Sequence, residues 1–162
     1  MTVTAFSTDC LPPAQRAEGW TQAIGSSYFP LDLDFRSPER FFGELQVWSL
    51  GDVQASRLRS DATMYRRRPG HLRAAGEEEL LLTIPRSAPV RFLQVGRELV
   101  CPPGGFILER GNEPYEFSYG DANDLIVAKI GYNQLAARLP DPGRYCAIEF
   151  DATSGVAALM VD

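Results

Sequence analysis

From Leu31 to Ile130 the chain never sustains one hydropathy pattern for long. Short runs alternate apolar and polar residues, and most of them stop at turn-forming residues such as Gly or Pro. "LDLDF", "ELQVWSL", "DVQASRL" and "YEFSY" keep a period of two, and "NDLIVAKI" reads as a last long strand. Period two puts successive side chains on opposite faces of a strand, which suits a sheet with one buried face. Roughly eight or nine short strands with a turn every eight to twelve residues are the signature of a sandwich or barrel. The breakers carry specific instructions. Gly51-Asp52 reads as a turn between two strands, and a turn near Val95-Gly96 makes "VRFLQVGRELV" a hairpin. In "CPPGGFILERGNEPYEF" the Pro-Pro-Gly-Gly and Gly-Asn-Glu-Pro segments are corner chemistry around one short strand, with positive φ expected at Gly104 or Gly105. That short strand is expected to close a barrel edge.

Helical spacing is confined to the ends. Ala17, Trp20 and Ile24 recur on one helix face after Pro12 and Pro13, with Thr8 or Asp9 as a cap and Gly25 as a stop. "YNQLAARLP" predicts a second helix, and a third is expected to begin at Ser154. No repeat or linker divides the 162 residues, and 44% hydrophobic content is enough for one core. The expected fold is therefore mainly β, a jelly-roll barrel with a short N-terminal helix and one or two C-terminal helices.

Composition narrows function. A net charge of -5 opposes a grip on nucleic acid by this chain alone. No apolar run approaches the roughly 18 residues of a membrane span, and the N-terminus lacks signal-peptide character, so a cytoplasmic location is expected. Arg fills every basic position but Lys129, which with many Ala and Gly fits a GC-rich bacterial source. Cys10, Cys101 and Cys146 are scattered and read as incidental thiols.

Chemistry is sparse. His71 is the one histidine, too few for a two- or three-His metal centre or for a placed general base. Glu109, Glu113 and Glu116 show no converging spacing, and Glu77 to Glu79 read as a solvated turn. No phosphate-binding Gly motif occurs. No catalytic residue, metal or cofactor is expected, and the chain is read as a non-enzyme. "YRRRPGHLR" reads as a charged edge strand that discourages aggregation, with an interdomain contact as the second reading. If the barrel is open, Trp48, Tyr65, Phe92, Tyr115 and Phe117 offer aromatic surface to a small apolar or aromatic molecule. Arg57 and His71 are the candidate polar anchors, for instance for a carboxylate.

Motif order adds a resemblance. "LPPAQRAEGWTQAI", "FPLDLDF", "FFGELQVWSLGDVQASRLRS" and "YRRRP" are followed by "GRELVCPPGGFILERGNEPYEFSY" and "NDLIVAKIGYNQLAARLPDP". This collinear series resembles the N-terminal sensing domain, of the AraC-binding-like branch, of AraC/XylS-type bacterial transcription regulators. The resemblance implies a cupin-like barrel that senses a small-molecule effector or mediates dimerisation. It also implies DNA contact through a C-terminal helix-turn-helix domain. That domain is expected to be missing from this chain, which stops at Asp162. Two other readings stay open: a metal-dependent cupin enzyme and an effector-free interaction domain.

Overall fold

The structure is a computed structural model that describes residues 1–72 and 78–161. Arg73 and Glu77, two residues of the charged segments above, lie outside the described residues.

Strand β1 (Thr2–Ser7) is followed by two single 3-10 turns and helix α1 (Arg16–Ser27). Strands β2 (Asp32–Phe35), β3 (Gly43–Leu50), β4 (Val53–Ser60), β5 (Thr63–Arg67) and β6 (Glu79–Pro85) come next. Then follow β7 (Val90–Gln94), β8 (Arg97–Cys101), β9 (Gly105–Arg110), β10 (Tyr115–Tyr119) and β11 (Asn123–Gly131). Helix α2 (Tyr132–Ala136), strand β12 (Glu149–Asp151) and helix α3 (Gly155–Val161) complete the order. All pairings are antiparallel. They form a seven-stranded sheet, β1-β3-β4-β11-β6-β9-β12, and a five-stranded sheet, β2-β5-β10-β7-β8. The mainly β fold expected from the sequence, with a short N-terminal helix, is the observed one.

The alternation works as the period-two pattern requires. Leu45, Val47, Leu58, Leu125 and Val127 face inward from the large sheet; Tyr65, Phe92, Tyr115, Phe117 and Tyr119 face them from the small one. Between the two sheets, α1 inserts Trp20 and Ile24, both essentially inaccessible. The Trp20 ring packs 5.6 Å from Phe41 and 6.2 Å from Phe6. Gly43 makes room for it, since a Cβ there would lie 2.6 Å from the indole.

Several local expectations are corrected. Thr2–Ser7 is a strand on the edge of the large sheet, where sequence reading saw no element. Thr8 does not cap α1. It is buried, donates to the Phe41 carbonyl at 3.2 Å and accepts from the Gly43 amide at 3.0 Å. Gly25 lies inside α1, which runs on to a C-cap at Tyr28. Strand β9 is not an edge; β6 and β12 flank it. Nor is β5, which β2 and β10 bond on either side. The arginines of this segment are engaged instead: Arg66 pairs with Asp34 and Glu116, Arg68 just past the strand pairs with Asp32, and Arg67 bonds to backbone carbonyls. Glu78 and Glu79 are not merely solvated either. Glu78 forms a bidentate pair with Arg110, at 2.8 and 3.0 Å, and Glu79 meets Lys129 at 3.6 Å.

The turns give two expected outcomes. Gly104 has φ +96, and a Cβ there would meet Thr153 at 3.1 Å. At Gly105 a Cβ would lie 3.0 Å from the Phe150 carbonyl oxygen. Gly104→Val should therefore destabilise by about 1 kcal/mol or more, read as a lower thermal midpoint. The opposite sign is expected at the β7–β8 hairpin. Val95 (φ 49) and Gly96 (φ 72) both take the left-handed conformation of a two-residue turn. A β-branched residue is strained there, whereas Asn-Gly is the preferred pair. Val95→Asn should stabilise by about 1 kcal/mol, raising the urea midpoint without changing the slope.

Candidate functional site

An internal cavity of about 40 Å³ opens where α1 meets the two sheets. Its aromatic wall is Tyr28, Tyr65, Tyr115 and Phe117, and its aliphatic wall includes Ile24, Leu58, Leu81 and Val127. Two polar side chains enter it from the large sheet, Thr83 of β6 and Glu109 of β9. Leu31, just before β2, lines the cavity and also a shallow surface groove shared with Gly25 and His71, so it stands between the interior and solvent.

Period two explains Glu109. In β9 the residues Gly105, Ile107 and Glu109 share the inward face, so a carboxyl follows Ile107 into the barrel. It is 3% exposed. Its one hydrogen bond among the described residues comes from the Thr83 hydroxyl, at a long 3.4 Å. Burial pushes its pKa up from 4.5 to about 8, and the Thr83 bond opposes the rise without cancelling it. At neutral pH it is therefore a protonated, neutral acid in an apolar chamber.

The tyrosines differ among themselves. Tyr28 shares a hydrogen bond with Ser56 at 2.6 Å. Tyr65 joins Tyr119 at 2.9 Å and accepts from the Trp20 indole N–H at 3.4 Å. Tyr115 makes no hydroxyl hydrogen bond among the described residues, and burial raises its pKa well above the ordinary value. Two basic groups stand nearby but are engaged elsewhere. Arg67 donates to the Gly111 carbonyl at 2.7 Å and the Pro30 carbonyl at 2.9 Å, and its guanidinium lies 4.7 Å from the Phe29 ring centroid. Lys129 donates to the Ser27 and Tyr28 carbonyls and pairs with Glu79.

Of the seven residues nominated from sequence, Tyr65, Tyr115 and Phe117 line the cavity. Phe92 is fully buried behind them, 5.7 Å from the Tyr115 ring and 6.3 Å from Phe117. Trp48 is on the outer face of the large sheet, opposite Val3 and Ala55. Arg57 lies on that same outer face in a two-point pair with Asp124. His71 borders the surface groove; its Nδ1 accepts from the Arg68 amide and its Nε2 faces Asp32 at 3.3 Å. Sequence reading missed Glu109, Thr83 and Tyr28. The alternation from Ile107 was signal enough for Glu109; nothing local marks Tyr28, whose role depends on where α1 ends.

Among the described residues no group of three or more His, Cys, Asp or Glu is placed to hold a metal ion. Burial pushes the Cys101 and Cys146 thiols up to about 12, so neither is a ready nucleophile. No helix among the described residues is long and apolar enough to cross a membrane.

Comparison with known proteins agrees with the barrel. The AraC-like transcriptional activator CuxR has a similar structure, with a TM-score of 0.73 at 22% identity, over 89% of this chain and 51% of that one. A curated protein of Bacillus sp. (strain OxB-1), described as an uncharacterized protein in the nit 5' region, is 25% identical over 158 residues. That match takes in 98% of this chain and 61% of the Bacillus protein, so the chain spans less than two thirds of either relative. The AraC-binding-like domain family matches residues 20–162, and the chain belongs to that family.

Proposed function

We propose that this is the sensing domain of a bacterial AraC/XylS-type transcription regulator, that it takes a small effector into the barrel cavity, and that it catalyses no reaction. DNA contact would then fall to a separate helix-turn-helix domain of a longer, cytoplasmic protein. One observation carries the reading. A buried, scarcely hydrogen-bonded carboxyl costs stability, and the barrel packing gains nothing from it; such placements concentrate at functional sites. The cavity holds only about three or four waters at roughly 10–15 Å³ each. An effector is therefore small, or it displaces Leu31 on the way in.

The test is a thermal-shift screen of small metabolites, repeated on Val127→Phe, which fills the chamber. A compound that protects the wild-type domain and not the filled, folded variant supports the reading. Equal protection of both would place the effector elsewhere. Self-association is a second role, favoured by Leu93, Val95 and Val100, which leave apolar surface exposed on the β7–β8 hairpin. Sedimentation of Leu93→Glu/Val100→Glu beside wild type reads it directly, and a wild-type monomer at high micromolar concentration removes it.

A further inference from the structure

We infer that the effector is a compact, largely apolar molecule bearing a protonated primary amine, with Glu109 as its counter-ion. This rests on reading the cavity as the effector site, and it adds the chemical class. Four features of the chamber point the same way. Its one ionisable acid is Glu109, and no lysine, arginine or histidine lines it. Arg67 and Lys129, the basic side chains nearest the chamber, are already bonded to backbone carbonyls, and Lys129 also to Glu79. A carboxylate ligand would thus face another acid with no cation between them. Aromatic faces of Tyr28, Tyr65, Tyr115 and Phe117 surround the space, and such faces attract an ammonium group through their π electrons. Finally, the Glu109 carboxyl is already sealed from water in the folded protein, and pairing with a cation offsets the cost that burial puts on its charged form.

The groups facing Glu109 set its proton balance. Thr83 of β6 donates to it, and the hydroxyls of Tyr28 at the end of α1, Tyr65 of β5 and Tyr115 of β10 share its cavity. Cys146 lies behind β9, where burial keeps its thiol protonated, and Lys129 stands two strands away in the same row. None of these is a free cation. When an ammonium enters at neutral pH, the Glu109 O–H bond breaks and the proton passes to solvent. The ligand N–H groups then donate to the carboxylate, with the Tyr115 hydroxyl free to reorient. The chamber stays neutral overall, whereas an ammonium beside a protonated Glu109 would be a buried unpaired charge.

Calorimetry in two buffers of different ionisation enthalpy tests this. The probes are isobutylamine and benzylamine, each with its matched alcohol and carboxylate. The expected result is saturable amine binding with release of close to one proton at pH 7, and weaker binding of the alcohols and acids. Glu109→Gln should lower amine affinity about 10–100-fold, the range for losing a charged hydrogen bond, and leave the alcohols within about twofold. If the variant fails to fold, the proton count on the wild-type protein decides alone. Alcohols or carboxylates binding as tightly as the amines, or amine binding without proton release, overturn the amine assignment and leave the sensing cavity standing. No binding by any of the six probes overturns the amine assignment; the sensing cavity falls with it if the thermal-shift screen is also blank.

Discussion

Between about pH 4.5 and pH 8 the wild-type domain is expected to lose stability that Glu109→Gln retains. The sign follows from proton counting. In the unfolded chain Glu109 releases its proton near the ordinary glutamate value of 4.5; in the fold it holds the proton up to about 8. Across that window the folded state binds more protons, so stability falls as pH rises, and it levels off above the folded pKa. Each pH unit is worth about 1.4 kcal/mol for one proton, so the whole window amounts to on the order of 5 kcal/mol. Urea titrations of both proteins at half-unit pH steps isolate this contribution, because the other ionisable groups are common to both. Parallel curves would mean that Glu109 is solvated or paired in the folded state. The same experiment predicts that Glu109→Gln is the more stable protein at pH 8.

The second large effect is expected at Trp20. Trp20→Ala should cost about 3–5 kcal/mol, the usual range for a fully buried indole. Three contacts go at once: the rings of Phe6 and Phe41, and the bond to the Tyr65 hydroxyl. Gly43 leaves a flat backbone surface under the vacated ring, so no neighbouring side chain refills the space. Chemical unfolding checks the magnitude. A loss under 1 kcal/mol would show that α1 packs on the barrel by some other anchor.

Much of the fold was legible because strands announce themselves locally. Period two, Gly51-Asp52, Val95-Gly96 and Pro-Pro-Gly-Gly each act within a few residues, and each is where the pattern puts it. What failed was long-range. The alternation in "TMYRR" says that Arg66 and Arg67 face opposite ways, but not that β2 covers the far side of β5 and brings Asp34 with it. "TVTAFS" became a strand because β3 offered an edge, a fact absent from its own six residues. The site divides along the same line. Tyr65, Tyr115 and Phe117 followed from strand faces. Arg57 carried a charge that looked like an anchor; its partner Asp124 lies 67 positions away on β11. The most informative residue, Glu109, was discounted because carboxylates were sought in groups, whereas its meaning comes from isolation.

The bond between Trp20 and Tyr65 also makes the protein its own optical reporter. The chain has two tryptophans. Trp48 sits partly exposed on the outer face, whereas Trp20 is sealed and hydrogen-bonded to a tyrosine of the cavity wall. Iodide therefore quenches emission from Trp48 and leaves that of Trp20. The residual, blue-shifted spectrum then comes from an indole one hydrogen bond away from whatever occupies the chamber.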